Sequence, residues 1–300
     1  MKILISGSHG LVGSALVQSL ETAGHEVARL VRHAPSNANE IEWSPERYSI
    51  ALARIEGFDA VVHLAGESIA DGRWNEEKKA RIRESRIKGT KLLSESFIQL
   101  SQPPDVFISA SAIGYYGSRG DEVLTETSQA GEDFLAGVGV DWEKATAPAA
   151  EKGIRVVNLR FGIILDGKGG ALAKMLPPFR MGIGGRIGDG KQWMSWIALT
   201  DVIGVIEFAL SNKEIQGPIN VVAPNPVRNS EFTKTLGKVL SRPVFFPVPA
   251  FGARLAFGEM ADALLLSSQR VEPARLKEAG YVFQFPTLEG ALRHALAEAR

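Results

Sequence analysis

Three glycines, Gly7, Gly10 and Gly13, stand in the stretch ISGSHGLVGSALVQSL, directly after an apolar run at residues 1–5 and directly before a helical pattern. Glycine at such points makes a tight turn, lets backbone approach a ligand's phosphates, and lets a helix pack closely on a strand. A pyrophosphate held there sits on the positive end of the helix dipole. The spacing G-x-x-G-x-x-G differs from G-x-G-x-x-G, and a purely structural turn would use the same residues. A strand before it and a helix after it favour a dinucleotide site. The second strand, HEVARLVR, runs into Arg29, Leu30, Val31, Arg32 and His33, with no acid until Glu40. A ribose 2′-hydroxyl calls for a carboxylate at that point and a 2′-phosphate for a cation. The sequence therefore points to NADP (NADPH), with Arg32 as the phosphate ligand.

The elements that must position these residues alternate short β-branched runs with helical patterns, the mark of a parallel sheet with crossover helices. MKILIS, HEVARLVR, DAVVHLAG, DVFISAS and IRVVNLRFG read as strands. LVGSALVQSLETAG, EEKKARIRESRIKGTKLLSESFIQL and the run around DWEKATAPAAEKG read as helices. The fold class is α/β: a Rossmann-type doubly wound parallel sheet with a smaller C-terminal lobe. Residues 1–165 are expected to form the NADP-binding domain, with 196–225 returning to it. Residues 166–300, richer in Gly, Pro and Met at their start, form a substrate-binding lobe that covers the carboxyl ends of the strands and closes with the helical LEGALRHALAEA.

With 34 basic and 34 acidic residues the formal charge is zero. No global field draws nucleic acid or an anionic membrane, and a small-molecule partner is expected. Cysteine is absent, which removes disulfides, thiolate catalysis and cysteine metal sites and fits a reducing compartment. No apolar stretch approaches the roughly 20 residues that span a bilayer. The N-terminal run is too short for a secretory signal, so a cytoplasmic chain without a metal site is expected. The oligomeric state is not legible.

The chain resembles the extended short-chain dehydrogenase/reductase superfamily and, more narrowly, the YfcH-type NAD(P)-dependent epimerase-like family, an atypical branch of it. GSHGLVG, VVHLAGESIADGRW, SRIKGTKLL, SASAIGYYG, LRFGIILDGKGGALAKMLPPF, GGRIGDGKQWMSWIALTDV and RLKEAGYVFQFPTLEGAL carry the resemblance. It implies that Gly7, Ser8, His9, Gly10, Leu11, Val12 and Gly13 wrap the pyrophosphate and that Arg32 meets the 2′-phosphate. Leu64, Ala65, Gly66 and Glu67 would lie along the path from adenosine to nicotinamide, and Arg160, Phe161 and Gly162 would border the nicotinamide. His63 reads as a packed strand residue.

The catalytic pattern of the superfamily breaks. Its members usually carry Ser or Thr after the fifth strand and Tyr-x-x-x-Lys on the next helix, where Tyr exchanges the proton and Lys lowers its pKa. Ser111 matches the serine. Aligning Glu143 with the usual downstream acid puts Leu135 and Gly139 at the Tyr and Lys positions, and aligning Lys144 with the lysine puts Val140 at the tyrosine. Tyr115 and Tyr116 follow Ser111 closely enough to supply the hydroxyl instead, with an ordinary phenol pKa near 10. Glu143 could supply a carboxylate on the cleft side, though beside Trp142 it reads more plainly as a solvated helix residue or cap partner, and Asp201 reads as an N-cap. Trp193, Met194 and Trp196 replace the arginine that contacts the diphosphate in sugar-nucleotide epimerases, which suits either a less charged substrate or core packing. Lys191 and Arg186 are possible anion binders. Two functions follow: an NADP-dependent oxidoreductase or epimerase acting on a small carbonyl or hydroxyl substrate, or a non-catalytic NADP(H)-binding, redox-sensing protein.

Overall fold

The structure is a computed structural model that describes residues 1–298; Ala299, the end of the expected last helix, lies outside the described residues. Eight strands build the central sheet: β1 (Lys2–Ser6), β2 (Glu26–Val31), β3 (Glu40–Ser44), β4 (Ser49–Ile50), β5 (Ala60–His63), β6 (Val106–Ala112), β7 (Arg155–Phe161) and β8 (Gly217–Val221). Their order is β8-β7-β6-β5-β1-β2-β3-β4, parallel throughout except for the β3–β4 pair. The chain order reverses between β1 and β5. In doubly wound sheets, ligands bind outside the carboxyl ends of the strands at such a switch point.

The pleat sends alternate residues to opposite faces. Ile3 and Ile5 pack with Leu16 and Leu20 of helix α1 (Leu11–Thr22) and with Val205 and Ile206. Leu4 packs the other way, with Leu93 and Phe97 of helix α2 (Glu76–Ile98) and with Phe107. Both faces are therefore covered, which is why the strands read as continuous apolar runs. The strand EIEWS and its partner β4 escape the sequence reading. They are short and at the sheet edge, where half-exposed side chains break the apolar run.

Helix α3 (Phe134–Lys144) begins at Asp133, whose carboxylate accepts from the Ala136 amide at 2.9 Å. Helix α4 (Leu199–Ser211) packs on α1 and leads into β8 at the far edge of the sheet. Beyond β7 the chain adds Ile163–Leu165, parallel to Trp196–Ala198, and, among its further helices, Gly170–Arg180, Asn229–Leu240 and Leu288–Ala297. These helices close around a second core of Leu172, Leu176, Phe232, Leu236 and Leu292 that includes Met194 and Trp196. Those two side chains are thus packing residues. Asp201 is not the N-cap of α4: Ala198 is, and Asp201 lies inside the first turn. Fully buried, it accepts from the amides of Gln284 at 2.7 Å and Phe285 at 3.0 Å and so ties the C-terminal tail to the sheet side.

Candidate functional site

Two loops meet at the switch point. Gly7 has φ +72°, and a Cβ on it would lie 2.7 Å from the Leu64 carbonyl carbon and 2.8 Å from the Ala65 amide. A Cβ on Gly13 would fall 2.1 Å from the Gly7 oxygen. Sterics of the turn alone explain these two glycines. Gly10 differs: it has an ordinary φ of −76°, is exposed, and would bring a Cβ only to 3.3 Å from the Gly7 oxygen. It also caps α1 without a side chain, so the first amides of that helix have no intrahelical acceptor and no cap. A dinucleotide pyrophosphate fits this cradle. Ser8 is buried, His9 is exposed with its ring 6.5 Å from that of His33, and Leu11 and Val12 are half-buried.

At the end of β2, Arg29 pairs with Glu21 at 3.0 Å, whereas Arg32 is exposed. Glu40, the first acid beyond, is buried and accepts from the Ser36 amide at 2.8 Å and the Ser36 hydroxyl at 2.9 Å, which hold its carboxyl below the usual range. On the other loop Glu67 takes Lys78 at 2.7 Å. That bond, with Arg81 and Arg32 adding their charge, holds the Glu67 carboxyl below its usual range. His63 is a fully buried strand residue, its Nδ1 2.5 Å from Ser6 Oγ. Its Nε2 is buried without a partner among the described residues, and burial pulls its pKa down to about 3.

The polar centre lies one strand further on. Ser111 on β6 and Arg160 on β7 are register partners. Ser111 Oγ donates to Glu143 Oε1 at 2.7 Å, and Arg160 grips the same carboxylate twice, Nε to Oε1 at 2.7 Å and Nη2 to Oε2 at 2.8 Å. Arg160 Nη1 donates to the Tyr116 hydroxyl at 2.8 Å, and that hydroxyl donates to Asn220 Oδ1 on β8 at 2.7 Å. Burial opposes the charge of Arg160, yet the Glu143 carboxylate outweighs it and holds the guanidinium protonated beyond its usual range. The guanidinium also lies 3.6 Å from the Tyr115 ring centroid, a cation–π distance.

This arrangement corrects the solvated reading of Glu143 and fixes where Arg160 and Tyr116 stand. Glu143 is no solvated residue: its side chain is 14% exposed and is the counter-ion of a buried arginine. Arg160, expected at the nicotinamide, is committed to Glu143 and Tyr116. Tyr116, expected to face the nicotinamide, is wholly buried with its hydroxyl engaged on both sides, and burial pushes its pKa up to about 12 despite Arg160 and Asn220. Tyr115 remains half-buried. Its backbone occupies the place left by the missing lysine, since a Cβ on Gly139 would be 3.2 Å from Tyr115 Cα. Phe161 is half-buried at the end of β7, and Gly162 is fixed by packing, its Cβ position 2.6 Å from the Ser195 oxygen. Lys191 and Arg186 are exposed. What sequence reasoning missed is the pairing of Glu143, offered there only as a possible carboxylate; the available signal was an arginine inside the apolar strand RVVNLRF, which demands a buried acid.

The parallel sheet with a glycine-lined turn at its switch point defines a Rossmann-type dinucleotide-binding fold. The chain belongs to the NAD dependent epimerase/dehydratase family, which matches residues 3–222, and a domain of unknown function matches residues 248–295. It is 43% identical over 293 residues to the epimerase family protein Mb2239 of Mycobacterium bovis, covering 98% of this chain and 97% of that one. To the human epimerase family protein SDR39U1 it is 36% identical, covering 99% of this chain and 100% of the other. The crystal structure of human SDR39U1 with NADPH matches with TM-score 0.92, 34% identity and 99% coverage of each chain. A Corynebacterium glutamicum protein described as a nucleoside-diphosphate sugar epimerase matches with TM-score 0.81 and 42% identity, over 99% of this chain and 58% of that one.

Two outcomes follow. Gly10→Val is expected to leave the thermal midpoint unchanged and abolish dinucleotide binding, whereas Gly13→Val is expected to destabilise by about 3 kcal/mol or more through overpacking. Melting curves and cofactor titration on both variants check this; equal destabilisation would make all three glycines turn residues. His63 has its folded pKa lowered to about 3, so between that value and the unfolded value of about 6.5 only the unfolded chain takes up its proton. The stability it contributes is full above pH ~6.5 and is lost as pH falls towards 3. Denaturant midpoints across this range should fall less steeply in His63→Gln than in wild type, and parallel curves would contradict the assignment.

Proposed function

We propose that the protein is an NADP(H)-dependent oxidoreductase or epimerase acting on a small carbonyl or hydroxyl substrate, with Ser111 and Glu143 as its proton path. The carrying observation is the Ser111–Glu143 hydrogen bond at 2.7 Å, held from behind by Arg160. A nicotinamide bound along the two loops would supply hydride exchange at the substrate carbon. The protein's part is the proton. In oxidation, Ser111 Oγ takes the proton of the substrate hydroxyl as its own passes to Glu143 Oε1, and reduction reverses both transfers. Arg160 orients the carboxylate through two hydrogen bonds. Tyr115 is the second candidate hydroxyl, because Tyr116 is enclosed and serves as a wall of the site. Residues 1–165 with 196–225 would hold the cofactor, and the remainder of 166–300 the substrate.

Preference for NADP rests on Arg32, exposed at the end of β2 while Arg29 and Glu40 are engaged elsewhere; the NADPH in the human relative's structure supports it. One observation favours the alternative of a non-catalytic NADP(H) sensor. Ser111, Glu143, Arg160, Tyr116 and Asn220 satisfy one another within the protein.

Fluorescence titration should show NADPH binding more tightly than NADH, with the difference lost in Arg32→Ala. A charge-assisted pair is worth about 1.5–3 kcal/mol, roughly ten- to a hundredfold in affinity. NADPH oxidation over a panel of aldehydes, ketones and sugar nucleotides should fall by about 10²–10⁴ in Ser111→Ala and Glu143→Gln with NADPH affinity retained. Turnover unchanged in both variants would remove the proton path, and tight NADPH binding without turnover on any substrate would leave the sensor.

A further inference from the structure

The C-terminal lobe carries large apolar side chains on its outside. Met181, Ile183, Phe245, Phe246, Phe251 and Leu255 are each more than half exposed, Phe245 at 81%. They come from two stretches, 180–187 and 242–258, that run side by side. A Cβ on Gly182 would stand 3.5 Å from Pro243 Cγ and one on Gly185 1.7 Å from the Phe246 oxygen, and the Val248 amide donates to the Arg186 oxygen at 2.8 Å. With about 150–250 Å² on a large side chain, the patch presents roughly 800 Å². That exceeds the ~300–600 Å² of the largest patch on a typical monomer and matches the ~800 Å² that each partner buries in a standard interface.

The charges along the strip are ordered. Neither stretch contains an acid. Arg180 and Arg242 stand at the end where Gly182 meets Pro243, and Arg186 lies further along. At the opposite end stand Asp189 and Glu231, beside Lys191 and brought together by the Ser230 amide, which donates to the Gly190 oxygen at 2.9 Å. All six are exposed, and among the described residues none is in a salt bridge. Arg254, by contrast, is neutralised by Asp262 at 2.9 Å.

We propose that this face pairs with the same face of a second copy of the chain, about a two-fold axis that sets the Arg180–Arg242 end of one copy against the acidic end of the other. In a two-fold interface each such contact is made twice, and an apolar centre rich in Phe, Met and Arg without acids is the composition that interface cores favour. An anionic membrane would also take exposed Phe and Arg, but it would repel Asp189 and Glu231. The pairing bears on the cleft as well. The helix Ala250–Phe257 and the residue Glu259 beyond it are tied to the segment after Glu67, by Arg73 Nη2 to the Leu255 oxygen at 3.2 Å and Lys79 to Glu259 at 3.2 Å, so the second copy steadies one wall of the site.

Analytical ultracentrifugation of the full chain over a range of concentrations tests this. Wild type is expected to become dimeric as concentration rises, whereas Phe245→Asp and, separately, Leu255→Ser stay monomeric with an unchanged far-UV spectrum, because both side chains already face water. The variants Arg180→Glu/Arg242→Glu and Asp189→Arg/Glu231→Arg each place like charges together and are expected to raise the dimer dissociation constant about tenfold or more, while their equimolar mixture recovers the dimer. A wild type that is monomeric at every concentration, a dimer that Phe245→Asp and Leu255→Ser leave intact, or a mixture that stays monomeric overturns the proposal. So does Phe245-dependent sedimentation of the protein with phosphatidylglycerol vesicles in place of dimer formation, which gives the face to a membrane.

Discussion

The ion pair between Arg160 and Glu143 is the constraint around which the carboxyl end of the sheet is arranged. Arg160 is 3% exposed and Glu143 14%, so neither charge retains enough water to stand alone. Replacing both by apolar groups could be neutral, but removing one leaves a buried charge unpaired. The pair fixes α3 against β7, and its remaining donors set what surrounds it. Arg160 Nη1 draws in the Tyr116 hydroxyl, and Tyr116 in turn reaches Asn220 on the edge strand β8. Asn220 is itself held by Glu126, through its amide, and by the Glu272 carbonyl. One charge pair thus links α3, β7, the turn Ile113–Tyr116, β8 and the C-terminal segment.

That linkage explains why the helix after β6 lacks the usual hydroxyl and amine. The turn Ile113–Tyr116 packs on α3, where Gly139 faces Tyr115 and Gly114 faces Leu135. A lysine at Gly139 would displace Tyr115. The same turn is fastened from the other side by Gln269, which donates to the oxygens of Ile113 at 3.2 Å and Gly117 at 3.1 Å. Ser111 therefore sits on a rigid strand end, in register with its second neighbour in the network, rather than on a mobile loop. Preorganisation of this kind is what proton transfer between fixed groups requires.

Much of the sheet was legible because strands buried on both faces are dominated by apolar, often β-branched, residues; β1, β5, β6 and β7 announce themselves in this way, Arg160 in β7 notwithstanding. The glycine turn was legible for the same reason, although only the structure separates Gly7 and Gly13, which the turn itself requires, from Gly10, which it does not. The edge strands β3 and β4 were not, since half-exposed strands carry Glu and Ser as loops do. The pairing of Glu143 was hidden because its partner lies on another element and helical periodicity cannot show a contact across α3 and β7. Tyr115 and Tyr116 look alike in sequence, yet one is half-buried under the Arg160 guanidinium and the other fully buried with its hydroxyl between Arg160 and Asn220.

Comparisons at the level of the family agree with the fold and with a nicotinamide cofactor, while the chemistry depends on whether the Arg160–Glu143 pair is the organising element. A double-mutant cycle tests this most directly, with Arg160→Met, Glu143→Leu and the pair measured by denaturant unfolding. Each single variant is expected to lose about 3–5 kcal/mol, and the double variant to recover most of that loss because no charge is left unpaired. Additive losses would show that each residue acts through other contacts and would contradict the account.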